Sequence, residues 1–245
     1  WSYIMRLAFL HVFKNGGTTL VDRYKHNSDF IYQRVTDEFI TNYQGNKHKV
    51  HPIDELTQDK FGVILGHGVR TGMAYDVEYA TVLREPRSRI ISAYNYYRLE
   101  CADINKITTT IDFSTWFMNR DRLLPTPTYW QYQHFSNECS LGIDFGRGSD
   151  DSLQQDLLHQ SLETMSSIDH VMFMDKDYVT QVDQLVTRCG LTVNIDIVHS
   201  NSSKRGLKSY QQEYYNELTA SESQLIDDHI YYEQQFYDYF RNKFK

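Results

Sequence analysis

Residues 14–19 combine the residue types that hold an oxyanion. They read Lys-Asn-Gly-Gly-Thr-Thr and follow a short apolar run, RLAFLHVF, at residues 6–13. Glycines let backbone N–H groups approach an anion, threonine hydroxyls donate hydrogen bonds, and the N-terminus of a following helix adds favourable partial charge. The expected guest is a phosphate or sulfate group, and the residues expected to hold it are Lys14, Asn15, Gly16, Gly17, Thr18 and Thr19.

The position of Lys14 argues against the common nucleotide loops. A Walker A loop has its lysine after the last glycine, directly before Ser or Thr, whereas Lys14 precedes both glycines. The loop is also not the G-x-G-x-x-G of dinucleotide-binding proteins. A nucleotide-dependent phosphotransferase remains an alternative, but it needs a Mg²⁺ carboxylate that the sequence does not identify.

Arg84 and Ser92 indicate a second phosphate site. Arg84 follows a strand predicted at residues 79–83, and Pro86 can open a helix at its first turn. Ser92 then falls about two turns into that helix, on a face that can look back at the sheet edge. Arginine offers a fixed fork of donors and serine a hydroxyl. Either residue alone is more simply a surface ion pair or a packing residue, but their order after the Lys14 loop favours a shared phosphate.

His67 is the candidate general base. It lies in a Gly-His-Gly segment directly after a strand predicted at residues 61–65. Ligands of α/β proteins bind at the carboxyl ends of the strands, and the ordinary imidazole pKa near 6.5 suits proton abstraction at neutral pH. The alternative is a histidine that is hydrogen-bonded within a glycine-rich turn. His11, within the first predicted strand, is interpreted as a structural or orienting residue.

These segments resemble sulfotransferases that use PAPS (3′-phosphoadenosine 5′-phosphosulfate). HVFKNGGTTL resembles the phosphosulfate-binding loop of the carbohydrate branch, which includes heparan sulfate 2-O-sulfotransferase, although Phe13 and Asn15 depart from the family's Pro and Thr or Cys. TVLREPRSRIISAYNYYR resembles the family's 3′-phosphate motif, and LGHG its Gly-His segment. The resemblance implies PAPS as co-substrate, adenosine 3′,5′-bisphosphate as product, Arg84 and Ser92 at the 3′-phosphate, and His67 as base.

The resemblance also implies a C-terminal loop that closes over the nucleotide, with contacts from Asn201, Ser203, Lys204 and Arg205. A solvated loop is the alternative there. Residues 101–168 carry no resemblance and are predicted to hold acceptor specificity. Aromatic and histidine side chains in that stretch could line an acceptor pocket or, more commonly, pack in the core: Trp116, Tyr129, Trp130, Tyr132 and His134.

Alternating strand and helix patterns predict an α/β fold. We expect one domain over residues 1–245, with a central, mostly parallel sheet flanked by helices and a P-loop-like phosphosulfate loop, as in the sulfotransferase fold. Thr18 is the predicted N-cap of the first helix. Further strands are predicted at 170–174 and 191–198, and helices from Pro86 and at 112–120, 151–166, 176–188, 210–218 and 221–241.

Charge constrains the partners. The 245 residues include 25 Lys and Arg against 32 Asp and Glu, a net charge of −7, which argues against a general binder of nucleic acid. An anionic donor must therefore be held by a local cluster of cations. The acidic remainder favours a small neutral or cationic metabolite as acceptor over a heparin-like glycan. A glycan O-sulfotransferase and a non-catalytic nucleotide-binding module remain the alternatives.

Cysteine usage and hydropathy bear on location. Cys101, Cys139 and Cys189 are widely spaced and form no recognisable framework, which favours a reducing compartment, the cytoplasm. No apolar run approaches the ~20 residues that span a bilayer. The Golgi lumen is the alternative if an N-terminal anchor has been removed ahead of Trp1. No metal site is predicted, since His48, His51 and Asp54 lack further ligands in a familiar pattern.

Overall fold

The central element of the fold is a five-stranded parallel sheet. The computed structural model describes residues 5–12, 14–33, 39–41, 47–49, 62–67, 69–72, 76–98, 111–123, 130–136, 151–174, 177–196 and 217–244. Two compact units divide the chain: a sheet unit of residues 1–83 and 163–200, and a helical unit of residues 84–162 and 201–245.

Among the described residues, most strands lie before residue 84 and most helices lie after it. The strands are β1 (Leu7–Leu10), β2 (Phe30–Gln33), β3 (Phe39–Thr41), β4 (Lys47–Lys49), β5 (Val63–Gly66), β6 (Glu78–Leu83) and β7 (His170–Phe173). The helices are α1 (Gly17–Tyr24), α2 (Pro86–Tyr96), α3 (Phe113–Leu123), α4 (Gln131–Phe135), α5 (Asp151–Ser166), α6 (Tyr178–Arg188), α7 (Ala220–Asp227) and α8 (Tyr231–Lys243).

The main sheet has the order β2-β5-β1-β6-β7, and every neighbouring pair is parallel. Strands β3 and β4 form a separate antiparallel pair. The predicted α/β class with a parallel central sheet is therefore confirmed. The connection that leaves β1 leads to β2 at one edge of the sheet, and the connection that leaves its neighbour β6 leads to β7 at the other edge. The carboxyl ends of β1 and β6 therefore flank the switch point at which α/β sheets form a ligand crevice.

Alternate strand residues pack on α1 and α6. Because successive side chains of a strand point to opposite faces, Leu7, Phe9, Leu65, Val82 and Met172 share one face. They form one buried cluster with residues of the two helices: Leu20, Val21, Tyr24, Val182, Leu185 and Val186. Residues of the opposite face, including Leu10, Ile64 and Thr81, are buried as well. The first strand thus reads as a continuous apolar run, as its sequence predicted.

Aromatic residues form the core of the helical unit. Rings of α2, of α3 and of the residue before α4 contact one another within this core: Tyr94, Phe113, Trp116, Phe117 and Trp130. Tyr132 and Phe135 on α4 pack against Phe236 of α8. Phe236 and Phe240 are fully buried, whereas Tyr239 of the predicted aromatic stripe is half exposed. In the described part of the chain, no helix combines the length and apolarity that crossing a membrane requires.

Three details differ from the sequence predictions. Gly16, not Thr18, is the N-cap of α1, because the helix already begins at Gly17. The helix predicted at 221–241 is two helices, α7 and α8, which are separated at residues 228–230. Residues 191–196 are loop and turn instead of strand, with the N–H of Asn194 bonded to the carbonyl of Arg23. Strands β2, β3 and β4 and helix α4 were not predicted, and residues 210–216 of another predicted helix lie outside the described residues.

Candidate functional site

The loop between β1 and α1 has the backbone conformation of an anion nest. Lys14 (φ 66°) and Gly16 (φ 83°) are both left-handed. Such residues, alternating with right-handed ones, turn successive N–H groups towards a common concavity. A left-handed lysine costs about 1–2 kcal/mol, and backbone strain of this kind concentrates at functional sites.

Helix α1 presents an open N-terminus. The carbonyl of Gly16 accepts the N–H groups of Thr19 (3.1 Å) and Leu20 (3.4 Å), whereas the N–H groups of Gly17 and Thr18 precede the first intrahelical donors. No side chain caps this terminus, and no acidic residue lies in the first turn. The dipole of α1 and its first N–H groups are therefore available to an anion.

Helix α2 begins differently. Glu85, its N-cap, accepts from the N–H of Arg87 (3.0 Å) and the N–H of Ser88 (2.7 Å). Its carboxylate therefore satisfies the terminus and neutralises the helix dipole there. An anion held near the start of α2 would depend on side chains alone.

The Asn15 side chain connects the loop to strand β6. Its Nδ2 donates to the carbonyl of Val82 on β6 at 2.7 Å, and the residue is 1% exposed. One strand position earlier, Thr81 Oγ1 donates to the carbonyl of Leu10 at 2.8 Å. The Asn15 side chain thus ties the loop to the neighbouring strand, a structural role that the sequence did not predict.

His67 and His11 form a stacked pair beside the loop. Their ring centroids are 4.3 Å apart at an interplanar angle of 29°. His67 Nδ1 lies 2.7 Å from the backbone carbonyl oxygen of His11. A carbonyl can only accept, so Nδ1 carries the proton, and Nε2 of the neutral ring is the atom with a lone pair. This tautomer leaves Nε2 as the basic nitrogen.

Burial keeps both imidazoles neutral. It lowers the pKa of His67 to about 4; the hydrogen bond to the His11 carbonyl opposes this shift, and the charge of Arg70 adds to it. Burial, followed by the charges of His67 and Lys14, lowers the pKa of His11 well below its usual range. The guanidinium of Arg70 donates from Nη1 to the carbonyls of His67 (2.8 Å) and Val69 (2.9 Å). A neutral imidazole therefore lies beside the positive charge of Arg70.

Both glycines of the loop are required by close approach. A Cβ on Gly17 would lie 2.0 Å from His11 Nε2, and one on Gly16 would lie 2.8 Å from the hydroxyl oxygen of Tyr178. Tyr178 is the first residue of α6 and is 2% exposed. Sequence reasoning missed Tyr178, which belongs to no motif and which only the fold brings to the loop. It also missed Arg70, which acts locally, through bonds to the carbonyls of His67 and Val69.

Arg84 and Ser92 lie in the helical unit. Arg84 Nε donates to Ser88 Oγ at 3.0 Å, and Ser92 lies one helical turn beyond Ser88 on α2, with 8% of its surface exposed. Ser88 was missed, although its spacing of four from both residues marks the same helix face. Shared binding of one phosphate by Arg84 and Ser92 stays a prediction.

The other sequence candidates divide into two groups. Trp116, Trp130, Tyr132 and His134 are all at least 92% buried, in the core of the helical unit, which favours their packing interpretation. Asn201, Ser203, Lys204 and Arg205 lie outside the described residues, as do Gly68, Tyr129, Cys101 and Cys139. Within the described ranges, no group of three or more His, Cys, Asp or Glu side chains could hold a metal ion.

The chain can be compared with protein-family models, curated protein sequences and solved structures. No protein-family model matches the chain, and no curated protein sequence matches it. Among solved structures, the chain is similar to mouse sulfotransferase SULT7A1 complexed with PAP, with a TM-score of 0.49 and 11% sequence identity. The likeness covers 97% of this chain and 90% of that one. A likeness at this level does not by itself assign a family.

Proposed function

We propose that the protein is a sulfotransferase that moves the sulfuryl group of PAPS to a hydroxyl or amine of a small-molecule acceptor. The observation that carries the proposal is the open, uncapped start of α1, with its left-handed Lys14 and Gly16, beside a neutral histidine whose basic Nε2 is defined. An oxyanion nest and a positioned base next to each other are what group transfer from an anionic donor requires.

The loop residues would hold the 5′-phosphosulfate. N–H groups at residues 16–18 and the hydroxyls of Thr18 and Thr19 would supply the donors, while the N–H of Thr19 bonds to the Gly16 carbonyl. The Lys14 ammonium neutralises the charge that grows on the phosphate oxygen as its bond to sulfur breaks. The lysine charge lowers the pKa of His11, which supports a place for Lys14 close to the histidine pair.

His67 would accept the acceptor proton. A bond forms between the acceptor oxygen or nitrogen and sulfur, the bond from sulfur to the phosphate oxygen breaks, and its electron pair stays on the phosphate. The displaced proton passes to His67 Nε2, because Nδ1 already holds a proton towards the His11 carbonyl. Negative charge bound in the loop would raise the pKa of this imidazole from about 4 towards the operating range.

Arg84 and Ser92 would bind the 3′-phosphate, with Asn201, Ser203, Lys204 and Arg205 closing over the nucleotide. Residues 1–245 then act as one sulfotransferase domain, in a reducing compartment such as the cytoplasm. Binding energy at the 3′-phosphate, remote from sulfur, positions the reacting centre. The net charge of −7 supports a small neutral or cationic acceptor; a glycan acceptor is the alternative.

Replacing Lys14 tests the assignment. With labelled PAPS and a panel of acceptors, we expect Lys14→Ala to lower turnover by about 10²–10³-fold, as loss of one preorganised donor does. Lys25→Ala is the matched control, since Lys25 lies at the far end of α1 and pairs with Asp22 at 2.8 Å. Wild-type turnover in the Lys14 variant would refute the proposed role of the loop.

Ligand binding separates the alternatives. A sulfotransferase binds adenosine 3′,5′-bisphosphate in calorimetry, whereas a phosphotransferase prefers ATP with Mg²⁺. Tight binding of the bisphosphate without turnover on any acceptor would instead indicate a non-catalytic nucleotide-binding module.

A further inference from the structure

Gln131 pairs with both backbone groups of Arg84. Its Oε1 accepts the Arg84 N–H at 2.8 Å, and its Nε2 donates to the Arg84 carbonyl at 2.7 Å. One side-chain amide thus offers Arg84 the same donor and acceptor that a neighbouring strand would offer. Gln131 is fully buried, so water does not compete for these bonds. The backbone of residue 84 is held in position and direction just beyond the end of β6.

A buried ion pair holds Gln131 in turn. Glu233 accepts from the backbone N–H of Gln131 at 2.7 Å and from its Nε2 at 3.0 Å. The guanidinium of Arg89 lies 3.3 Å from the same carboxylate. Glu233 and Arg89 are 1% and 2% exposed. Burial raises the pKa of the Glu233 carboxyl, while Arg89 and Gln131 act against that shift. The Gln131 residue is therefore fixed on its far side by the Glu233 carboxyl group, which accepts from both its backbone N–H and its side-chain amide.

The guanidinium of Arg84 is constrained at its other end by Ser88. Arg84 Nε donates to Ser88 Oγ at 3.0 Å, and Ser88 itself is fixed by the Glu85 carboxylate through its N–H. Gln131 therefore fixes the backbone of Arg84, and Ser88 fixes its guanidinium group. A long, flexible arginine otherwise loses rotamer entropy when it becomes fixed to a ligand.

We propose that Gln131, supported by Glu233 and Arg89, is a positioning residue that holds Arg84 ready for the 3′-phosphate of the donor. This inference rests on the proposed function and names a determinant of its nucleotide selectivity. A buried ion pair contributes little net stability compared with an apolar replacement, and setting a specific geometry is one role that such pairs serve. Here the pair sets the backbone geometry of Arg84, the residue predicted to bind the 3′-phosphate.

The test is the ratio of affinities for adenosine 3′,5′-bisphosphate and AMP, measured by calorimetry. AMP lacks only the 3′-phosphate, so the ratio isolates its contribution. We expect Arg84→Ala to bring the ratio close to one and Gln131→Met to lower it by about tenfold, with AMP affinity unchanged. Gln133→Met is the matched control, because Gln133 is a buried glutamine of the same helix whose Oε1 accepts the Trp130 N–H. Its ratio should equal that of the wild type.

The outcomes separate the inference from the function beneath it. If Arg84→Ala lowers the ratio and Gln131→Met does not, the positioning role is refuted while the 3′-phosphate site stands. If Gln131→Met weakens both ligands equally, the effect is structural, and the inference is again refuted. A wild-type ratio near one refutes the 3′-phosphate site and the inference with it. If Gln131→Met does not fold, Gln131→Asn takes its place, since the shorter amide cannot reach both groups of Arg84.

Discussion

Alanine at position 17 brings a methyl group onto the ring of His11. An added Cβ would lie 2.0 Å from Nε2, 2.3 Å from Cε1 and 2.6 Å from Cδ2 of that ring. Contacts under 3.0 Å force a displacement. The imidazole has little room to move, because it is 6% exposed and stacks on His67 at 4.3 Å.

Two opposing effects set the magnitude. Glycine to alanine within a helix is worth up to about 1 kcal/mol in favour of alanine. Overpacking a buried site costs about 1–3 kcal/mol and occasionally more, and three simultaneous short contacts with a ring place Gly17 at the upper end. We therefore expect Gly17→Ala to be destabilising by about 2 kcal/mol, or a fall in Tm of about 4–8 °C for a chain of this size.

A double substitution identifies the cause. Thermal unfolding is measured for the wild type, Gly17→Ala, His11→Ala and the double variant. With the ring of His11 removed, Gly17→Ala should cost nothing or become slightly stabilising, so the two changes should be strongly non-additive. An equal cost of Gly17→Ala in both backgrounds would refute the reasoning, as would a Gly17→Ala protein as stable as the wild type.

Two further predictions concern charge. The folded pKa of His67 is about 4, below its ordinary value of 6.5, so the unfolded state binds more protons between these values and stability falls as pH drops through that window. The Tm values measured at about pH 7.5 and about pH 5 should therefore differ less in His67→Gln than in the wild type. An equal difference in both proteins would contradict the lowered pKa. In a denaturant titration, Asp183→Ala should lower the free energy of unfolding by about 3 kcal/mol, because the buried Arg23 side chain, 5% exposed, loses the carboxylate it pairs with. Asp227→Ala, which removes the more exposed pair with Arg87, should cost under about 1 kcal/mol in the same titration. Equal costs of the two substitutions would contradict the dependence on burial.

The sheet was predictable because its strands are buried on both faces. Strands β1, β5, β6 and β7 each lie in short apolar segments, and such runs indicate buried parallel strands whatever their neighbours. Strand β2 carries a weaker signal, since it lies at an edge and Ile31 and Tyr32 are only half-buried. Neither glycine nor proline marks the break between α7 and α8; the break separates two buried isoleucines, Ile226 and Ile230.

The residues of the candidate site also differ in whether the sequence alone could identify them. The loop, His67 and Arg84 were candidates from the sequence alone because their residue types suit the chemistry, and their roles stay predictions. Tyr178 and Gln131 could not be identified in this way, because each acts on a residue distant in the chain through a contact that only the fold creates. Gln131, for example, lies 47 positions from Arg84 and binds its backbone, which leaves no trace in either side-chain type.

The anchoring of His67 to a main-chain oxygen has a consequence for mutational tolerance. Every amino acid at position 11 supplies the carbonyl that holds the Nδ1 proton, so the tautomer of His67 does not depend on the identity of that residue. The ring of His11 does separate work, since it fills the space that Gly17 leaves open. A smaller side chain at position 11 can therefore be accompanied by a larger one at position 17, while Nε2 of His67 remains the proton-accepting nitrogen.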